Sequence, residues 1–306
     1  MAFLYALPGA IAEGLIWGIM AMGVYITYKI LDIADLTVDG SICTGACVCA
    51  VLLACGVPVW LSVIIAFLAG ALAGMVTGLL HTLLGIPSIL AGILTQLMLY
   101  SVNLRILGGK SLIAIDPRAN ALLMHMSNNP SSIIAGVLIV AGMIIGLWLF
   151  FYTEVGLTLK STGDNPDMSR AQGVNVKFNK VLGLAIANGI VALAGALLAQ
   201  YKGSANINDG RGAIVIALAA IFIGLSISLK IKPNFVVSLI GVVGGGIIYY
   251  IVYNFVILMG LKTDYLKMLS AIIVALFLGI PYIKAEYFQK KKPIPTAPQM
   301  GGDGDA

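Results

Sequence analysis

The sequence predicts an all-α fold, a polytopic bundle of about eight or nine transmembrane helices that includes broken or re-entrant ones. The first observation is composition. Of the 306 residues, 60% are hydrophobic and only 10% are charged, whereas an ordinary soluble domain carries about 25% charged residues. The mean hydropathy of +1.02 agrees with these values. Composition therefore excludes a soluble globular domain, and the lipid bilayer is the first partner that the sequence implies.

The second observation is the length of the apolar runs, because a helix needs about 20 mostly apolar residues to cross the hydrocarbon core. Nine runs are candidates, and the second and seventh are short. Polar, glycine-containing sequence precedes each short run (IADLTVDGS and KGSANINDGRG), which indicates broken helices beside a pathway. The candidate spans are residues 8–28, 40–56, 59–84, 87–104, 131–152, 178–201, 212–229, 234–257 and 265–283.

Basic residues predict the orientation of these spans. Lysine and arginine follow the fifth, seventh and ninth spans, so the positive-inside rule places those three regions and the C-terminus in the cytoplasm. The 105–130 segment and the N-terminus then lie outside, although that segment carries three basic residues. We read the net charge of +5 as a topology signal and expect no nucleic-acid partner. The cytoplasmic set is Lys160, Arg170, Lys177, Lys180, Lys230, Lys232, Lys284, Lys290, Lys291 and Lys292.

Residues 1–286 are predicted to form one transmembrane domain with a large cytoplasmic loop at 153–178. The polar tail at 287–306 is rich in proline and glycine and is predicted to be disordered on the cytoplasmic side.

Neither a catalytic nor a metal site is expected. The four cysteines lie in one apolar helix without a histidine nearby, which is typical of packing thiols. The segment LGGKS (107–111) resembles a nucleotide-binding loop, but the Walker A pattern requires glycine where Leu104 stands. The chain is therefore predicted to be no enzyme and to bind no ATP itself. The cysteines are Cys43, Cys47, Cys49 and Cys55.

Small residues recur every four positions in three of the spans: Gly70, Gly74 and Gly78, then Gly142 and Gly146, then Gly241 and Gly245. In lipid this spacing lets helix backbones approach closely. Two interpretations stay open, which are tight packing within one subunit and a seam between two subunits.

Three carboxylates, Asp32, Asp35 and Asp39, lie at the junction between the first two spans. Such groups are costly in a membrane unless they are hydrated or paired. Gly40 and Ser41 follow directly, which suits a turn into a new helix. The alternatives are a solvated loop with a helix cap, a structural role in a broken helix beside the translocation path, and a proton or cation relay.

The segment at 156–174, GLTLKSTGDNPDMSRAQGV, is a polar island between two apolar runs. Asn165 is placed to cap a short helix, and Pro166 follows at the first helical position, where its missing N–H costs nothing. Asp167 complements the positive end of the helix, and Gly173 is placed to end it. A capped helix in the largest charged loop of a membrane protein predicts a docking element for a soluble partner.

The acidic turn and the polar island together resemble motifs of a known family, the permease subunits of ABC importers related to the branched-chain amino acid and ribose transporters. ADLTVDGS (34–41) is similar to the family's Asp-Leu-Ser/Thr-Val-x-Gly-Ser turn. GLTLKSTGDNPDMSRAQGVNV (156–176) is similar to its more specific Gly-Asp/Glu-Asn loop. The resemblance spans nearly the whole chain and implies a type II-like permease fold. Because Asp39 adds an acidic residue to the sugar-type motif, the resemblance points to the uncharacterised amino-acid-type subgroup.

The resemblance also implies partners and roles. A permease pair in a bacterial inner membrane receives solute from an extracellular or lipoprotein binding protein, and two cytosolic ATPases that bind ATP and Mg²⁺ drive alternating access. The expected solute is small and polar, an amino acid, with aromatic ones among the candidates. Asp35, Asp39, Gly40 and Ser41 would line the broken helix. The coupling helix that docks on the ATPase would comprise Asp164, Asn165, Pro166, Met168, Arg170, Ala171 and Gly173.

A second class of function is an ion- or proton-coupled secondary transporter. It would use Asp32, Asp35 or Asp39 as coupling carboxylates, and the isolated chain would then transport its solute down an ion gradient.

Overall fold

The computed structural model describes residues 2–116, 122–126, 129–228 and 234–258, together with a few single helical positions between 268 and 279. Helices dominate these residues. They are α1 Ala2–Tyr25, α2 Val38–Ala54, α3 Val59–Thr82, α4 Ser88–Ile106, α5 Asn129–Phe151, α6 Glu154–Asp164, α7 Pro166–Ala171, α8 Val176–Lys202, α9 Ala213–Ser228 and α10 Phe235–Leu258. A π-helical segment, Ile26–Ile30, continues α1 directly.

Six helices in the described residues are long and apolar enough to cross a membrane: α1 with its extension, α3, α4, α5, α8 and α10. Two further apolar helices are shorter, α2 with 17 residues and α9 with 16. These are the runs predicted to be short, 40–56 and 212–229. The predicted span 265–283 and the tail 287–306 lie outside the described residues, apart from isolated positions in the former, so the count of eight or nine spans stays a prediction.

The structure contains two features that the sequence did not predict, a pair of short strands and helix α6. Strand β1, Leu112–Ala114, pairs in antiparallel register with strand β2, Ser204–Asn206. The pair joins the connection after α4 to the end of α8. Helix α6 is a second addition, because the sequence predicted only a loop between α5 and α7. It begins at a capping residue, Thr153, whose side chain accepts from the N–H of Gly156 at 3.2 Å.

Helix α8 is the centre of the bundle, and α3 packs along it through the glycines at four-residue spacing. A Cβ atom at Gly74 would overlap the Leu184 carbonyl, and one at Gly70 would overlap the Asn188 carbonyl. Only glycine allows the two backbones to come this close. For this seam, packing within one subunit is confirmed. At Gly142, by contrast, an added Cβ would meet no atom of the described chain within 4 Å.

The contacts also give the direction of each helix. Helix α2 runs parallel to α8, because Ser41 bonds to Asn188 and Cys49 to Gln200 further along both helices. Helix α1 is antiparallel to α8, since Gly23 near its end packs on Ala187 and Gly9 near its start accepts a hydrogen bond from Tyr201. It is also antiparallel to α10, since Gly14 faces Ile247 and Gly18 faces Val243.

Helix α9 is antiparallel to α10, because Gly224 meets Gly241 and Ala220 meets Gly245. Since α10 is parallel to α8, α9 runs opposite to α2. The two short helices begin beside each other and diverge.

Candidate functional site

The first candidate site is the junction where α2 begins, and a buried carboxylate organises it. Asp35, which is 3% exposed, lies in the non-helical segment between α1 and α2. Its Oδ1 accepts from the backbone N–H of Thr37 at 2.9 Å, and its Oδ2 accepts from Asn188 Nδ2 at 2.6 Å. Ser41 Oγ then donates to Asn188 Oδ1 at 2.6 Å. The network ties both sides of the junction to the middle of α8.

Asn188 is a residue that the sequence analysis missed. Its signal is a lone side-chain amide near the middle of a 27-residue apolar helix. Such a group is costly in lipid unless it is hydrogen-bonded, so its position indicates a polar partner. The sequence alone does not reveal that this partner is Asp35, 153 positions away.

Asp39 joins the two short helices. It lies in the first turn of α2, yet its Oδ2 accepts from the backbone N–H of Gly212 and its Oδ1 from that of Ile214, both at 2.9 Å. The carboxylate thereby satisfies N–H groups at the start of α9, where the helix dipole favours negative charge. Asp39 therefore acts as a cap for a helix 173 residues further along the chain.

The four predicted junction residues lie together, and Gly40 has a packing role among them. A Cβ atom at Gly40 would lie 2.8 Å from the Leu99 side chain and 3.3 Å from the Gln96 Cα, so α4 packs directly on this turn. Asp32, in contrast, is exposed and adopts a positive φ of 53°. Of the three carboxylates, only Asp32 fits a solvated loop, whereas Asp35 and Asp39 hold the junction together.

The second candidate site is the polar island, and its predicted helix signals are confirmed. Helix α7 begins after Asn165, whose Oδ1 accepts from the N–H of Met168 at 3.0 Å. Pro166 occupies the first turn. Gly173 has a φ of +84°, the left-handed conformation that ends a helix and favours glycine. The sequence therefore specifies this short helix locally.

Helix α6 attaches α7 to the bundle. Asn179 Nδ2 at the start of α8 donates to Thr162 Oγ1 at 3.0 Å, and Ser169 Oγ donates to Ser161 Oγ at 3.2 Å. A Cβ atom at Gly163 would overlap the carbonyl of Ile30, so α6 lies directly against the end of the π-helical segment. A series of direct contacts therefore connects α7 through α6 to Ile30, five residues before Asp35.

The outward face of α7 is exposed and partly apolar. Met168 is 60% exposed, and Arg170 forms only an exposed ion pair with Asp167 at 3.4 Å. Asp164, Pro166 and Ala171 are also exposed. Phe178, at the start of α8, is 58% exposed. The sequence analysis missed Phe178, although an aromatic residue just after the polar island is a signal for an interaction surface. We call the exposed residues of 164–173 together with Phe178 the docking surface.

These features define a polytopic helical membrane protein with an exposed, capped short helix on one loop and a junction of two short helices. The chain belongs to the family described as branched-chain amino acid transport system, permease component, whose family model matches residues 8–278. It is thus an integral membrane protein and a permease of an ABC transporter.

Relatives agree with this membership. The chain is similar to a tyrosine transport system permease protein of Clostridioides difficile, 38% identical over 87% of this chain and 88% of the relative. An uncharacterised protein of Rickettsia prowazekii is 31% identical over 90% of this chain and 97% of its own length. An autoinducer 2 import system permease protein of Yersinia pseudotuberculosis is 31% identical over 60% of this chain and 52% of its own. No solved structure matches the chain.

Proposed function

We propose that the chain is the membrane-spanning subunit of a binding-protein-dependent ABC importer for an amino acid, with aromatic amino acids as the first candidates. The observation that carries the proposal is the capped, exposed helix α7 in a member of this permease family. The similarity to a tyrosine transport permease supports the choice of solute. The acidic Asp39 in the ADLTVDGS turn, which departs from the sugar-type motif, supports it as well.

The docking surface receives the ATPase. Met168 and Phe178 offer apolar area, and Arg170 offers a cation whose pairing with Asp167 is too exposed to hold it strongly. ATP and Mg²⁺ bind on the ATPase subunits, so the membrane subunit contributes positioning and the solute path. The surface and the C-terminus face the cytoplasm of a bacterium, and a binding protein delivers solute at the opposite side. Two permease copies complete the assembly.

Alternating access follows from how α7 is attached. ATP-driven closure of the ATPases moves α7 and, through its hydrogen bonds and packing, α6. Because α6 lies against Ile30, the movement reaches the segment that carries Asp35 and the start of α2. Such a movement changes solute access only if the two states bind ATPase and solute with different affinity. The Asp35–Asn188 network is the element that we expect to hold the junction in register in both states.

Of the three carboxylates that a secondary transporter would use for coupling, Asp32 is exposed, and Asp35 and Asp39 already hold other partners. Asp35 accepts hydrogen bonds from Thr37 and Asn188, and both oxygens of Asp39 accept from the main chain. We therefore assign them structural roles and take the energy source to be the ATPase.

Co-purification tests the proposal. The tagged chain is extracted in mild detergent from a host that also expresses the ATPase encoded beside it, and the retained ATPase is quantified. We expect a stable complex for the native chain and loss of most of the ATPase with Arg170→Glu. Arg105→Glu is the matched control, because Arg105 is exposed at the far end of α4, away from the docking surface. Equal retention by the native chain and by Arg170→Glu would refute the docking surface.

A further inference from the structure

A cavity of about 460 Å³ opens where the junction meets α4. Its polar lining comes from three elements: Asp39 in α2, then Gln96, Tyr100 and Asn103 in α4, and Arg211 in the loop between β2 and α9. This volume lies in the range of small-molecule sites, about 300–1,000 Å³. The cavity is therefore large enough for a single amino acid.

One buried polar atom in this cavity has no partner. Asn103 is 1% exposed, and its Oδ1 accepts no hydrogen bond from any group in the described part of the chain. A buried acceptor left unpaired costs free energy. Since Asn103 lines the cavity, a donor on a bound molecule can satisfy it. An ammonium group is such a donor.

A cation faces the same cavity. The guanidinium of Arg211 lies 6.0 Å from the centre of the Tyr100 ring. No carboxylate within the described ranges comes close enough to form an ion pair with it. Asp39 lines the cavity too, but both its oxygens are already bonded to Gly212 and Ile214, so it fixes the loop that presents Arg211. The guanidinium is thus available to a ligand carboxylate, which it binds in a bidentate manner.

A neighbouring cavity of about 340 Å³ shares Arg211 but has different chemistry. Its other cation, Lys202, already pairs with Asp209 at 3.6 Å. Its remaining lining is mostly apolar and includes Trp17, whose buried Nε1–H is an unpaired donor rather than an acceptor. The unpaired acceptor and the unpaired cation therefore occur together only in the cavity at the junction, among the residues that the structure describes.

We propose that this junction cavity is a solute-binding site within the permease, in which Arg211 binds the carboxylate and Asn103 the ammonium group of a zwitterionic amino acid. The inference rests on the proposed function and deepens it. Tyr100 adds an aromatic ring to the lining, which suits an aromatic side chain. The site lies where α2 and α9 begin, so movement of the junction changes its shape.

The test uses the complete transporter, with permease, ATPase and binding protein, reconstituted in proteoliposomes. The probes are labelled L-tyrosine, L-leucine and D-ribose, and the readout is solute taken up per ATP hydrolysed. We expect Arg211→Gln and Asn103→Ala each to lower amino-acid uptake per ATP by about tenfold to hundredfold, the equivalent of one hydrogen bond to a charged group. Arg211→Lys, which keeps the cation, should recover part of the uptake.

The ratio separates a binding role from a folding defect, because a misfolded permease loses ATP hydrolysis and uptake together. Arg105→Gln is the matched control on the same helix as Asn103 and should behave like the native chain. Native uptake ratios in both site variants would overturn the proposed site. Two results would overturn the proposed ligand class. The first is uptake of D-ribose without uptake of either amino acid, and the second is a complex that hydrolyses ATP but takes up none of the three probes. Absence of any ATPase complex would instead refute the proposed function.

Discussion

Asn188 donates a hydrogen bond to Asp35 across 2.6 Å, and this bond ties the middle of α8 to the non-helical segment that precedes α2. Both side chains are buried. Irregular backbone within a membrane bundle is tolerated only where its polar groups find partners in the protein. The bond therefore explains how a chain that is 60% hydrophobic keeps a carboxylate at this position.

Exchange of these two residues gives the first prediction. Asn188→Ala should lower the stability of the purified chain by about 1–3 kcal/mol, because a buried acceptor loses its donor. The double variant Asp35→Asn with Asn188→Asp can keep the bonds to Thr37 and Ser41 and the bond between the two side chains, with the roles reversed, and loses only the bond to the Leu184 carbonyl, so it should recover part of the loss. Thermal unfolding in detergent measures both. Asn254→Ala is the control, since within the described residues Asn254 bonds only to the carbonyl of Tyr250 in its own helix. A double variant no more stable than Asn188→Ala would contradict the pairing.

Asp39 gives the second prediction. Asp39→Ala removes the acceptor for two N–H groups at the start of α9, and loss of a helix cap costs about 0.5–2 kcal/mol. We expect the loop at 207–212 and the first turn of α9 to exchange amide hydrogens faster, while α5 is unchanged. Asp32→Ala, at an exposed site in the same acidic turn, should leave exchange in α9 unaltered. Unchanged exchange in Asp39→Ala would show that the carboxylate does not cap α9.

The glycine seams allow a matched comparison. Gly74→Val should destabilise the chain by at least about 1–3 kcal/mol, the usual cost of overpacking, because its side chain would overlap the Leu184 carbonyl. Gly142→Val should leave the isolated subunit unchanged, since in the described part of the chain its site is open. The thermal unfolding temperatures of the two variants measure this difference in stability. Equal destabilisation would mean that α5 packs against a surface beyond the described residues or in a second subunit.

The cap of α7 gives a local prediction. Asn165→Ala should cost α7 about 1 kcal/mol, which corresponds to roughly fivefold faster amide exchange over 167–172. Global unfolding should not change, because α7 lies outside the core of the bundle. Gln172→Ala at an exposed site beside the same helix is the control. Equal exchange rates in the two variants would mean that the Asn165 side chain contributes nothing to α7.

The sequence predicts most of the helices, because a membrane-crossing helix needs an apolar run of a set length and such runs are visible in the sequence. The two runs predicted to be short, 40–56 and 212–229, are short helices in the structure. It also predicts the start and end of α7, since Asn165 and Gly173 act on their own backbone. It does not predict that Asp39 caps α9, because that contact depends on tertiary packing.

The sequence does not predict the β1–β2 pair or helix α6, because the local sequence signal of each is weak. The two strands have three residues each and are far apart in sequence. The sequence GLTLKSTG in α6 is a weak helix former that packs through Leu159 and Gly163 onto the bundle. Asn103 and Arg211 likewise become a candidate site only when the fold brings α4 beside the loop before α9.

On the proposed function, this permease moves its solute only when a separate ATPase acts on α7. The most direct measurement is uptake of labelled L-tyrosine into proteoliposomes that contain the permease, with and without ATPase, binding protein and internal or external ATP. We predict accumulation only with all components and with ATP on the ATPase side, and its loss with Arg170→Glu. Uptake by the permease alone that follows a proton or sodium gradient would instead show that the chain is an ion-coupled secondary transporter.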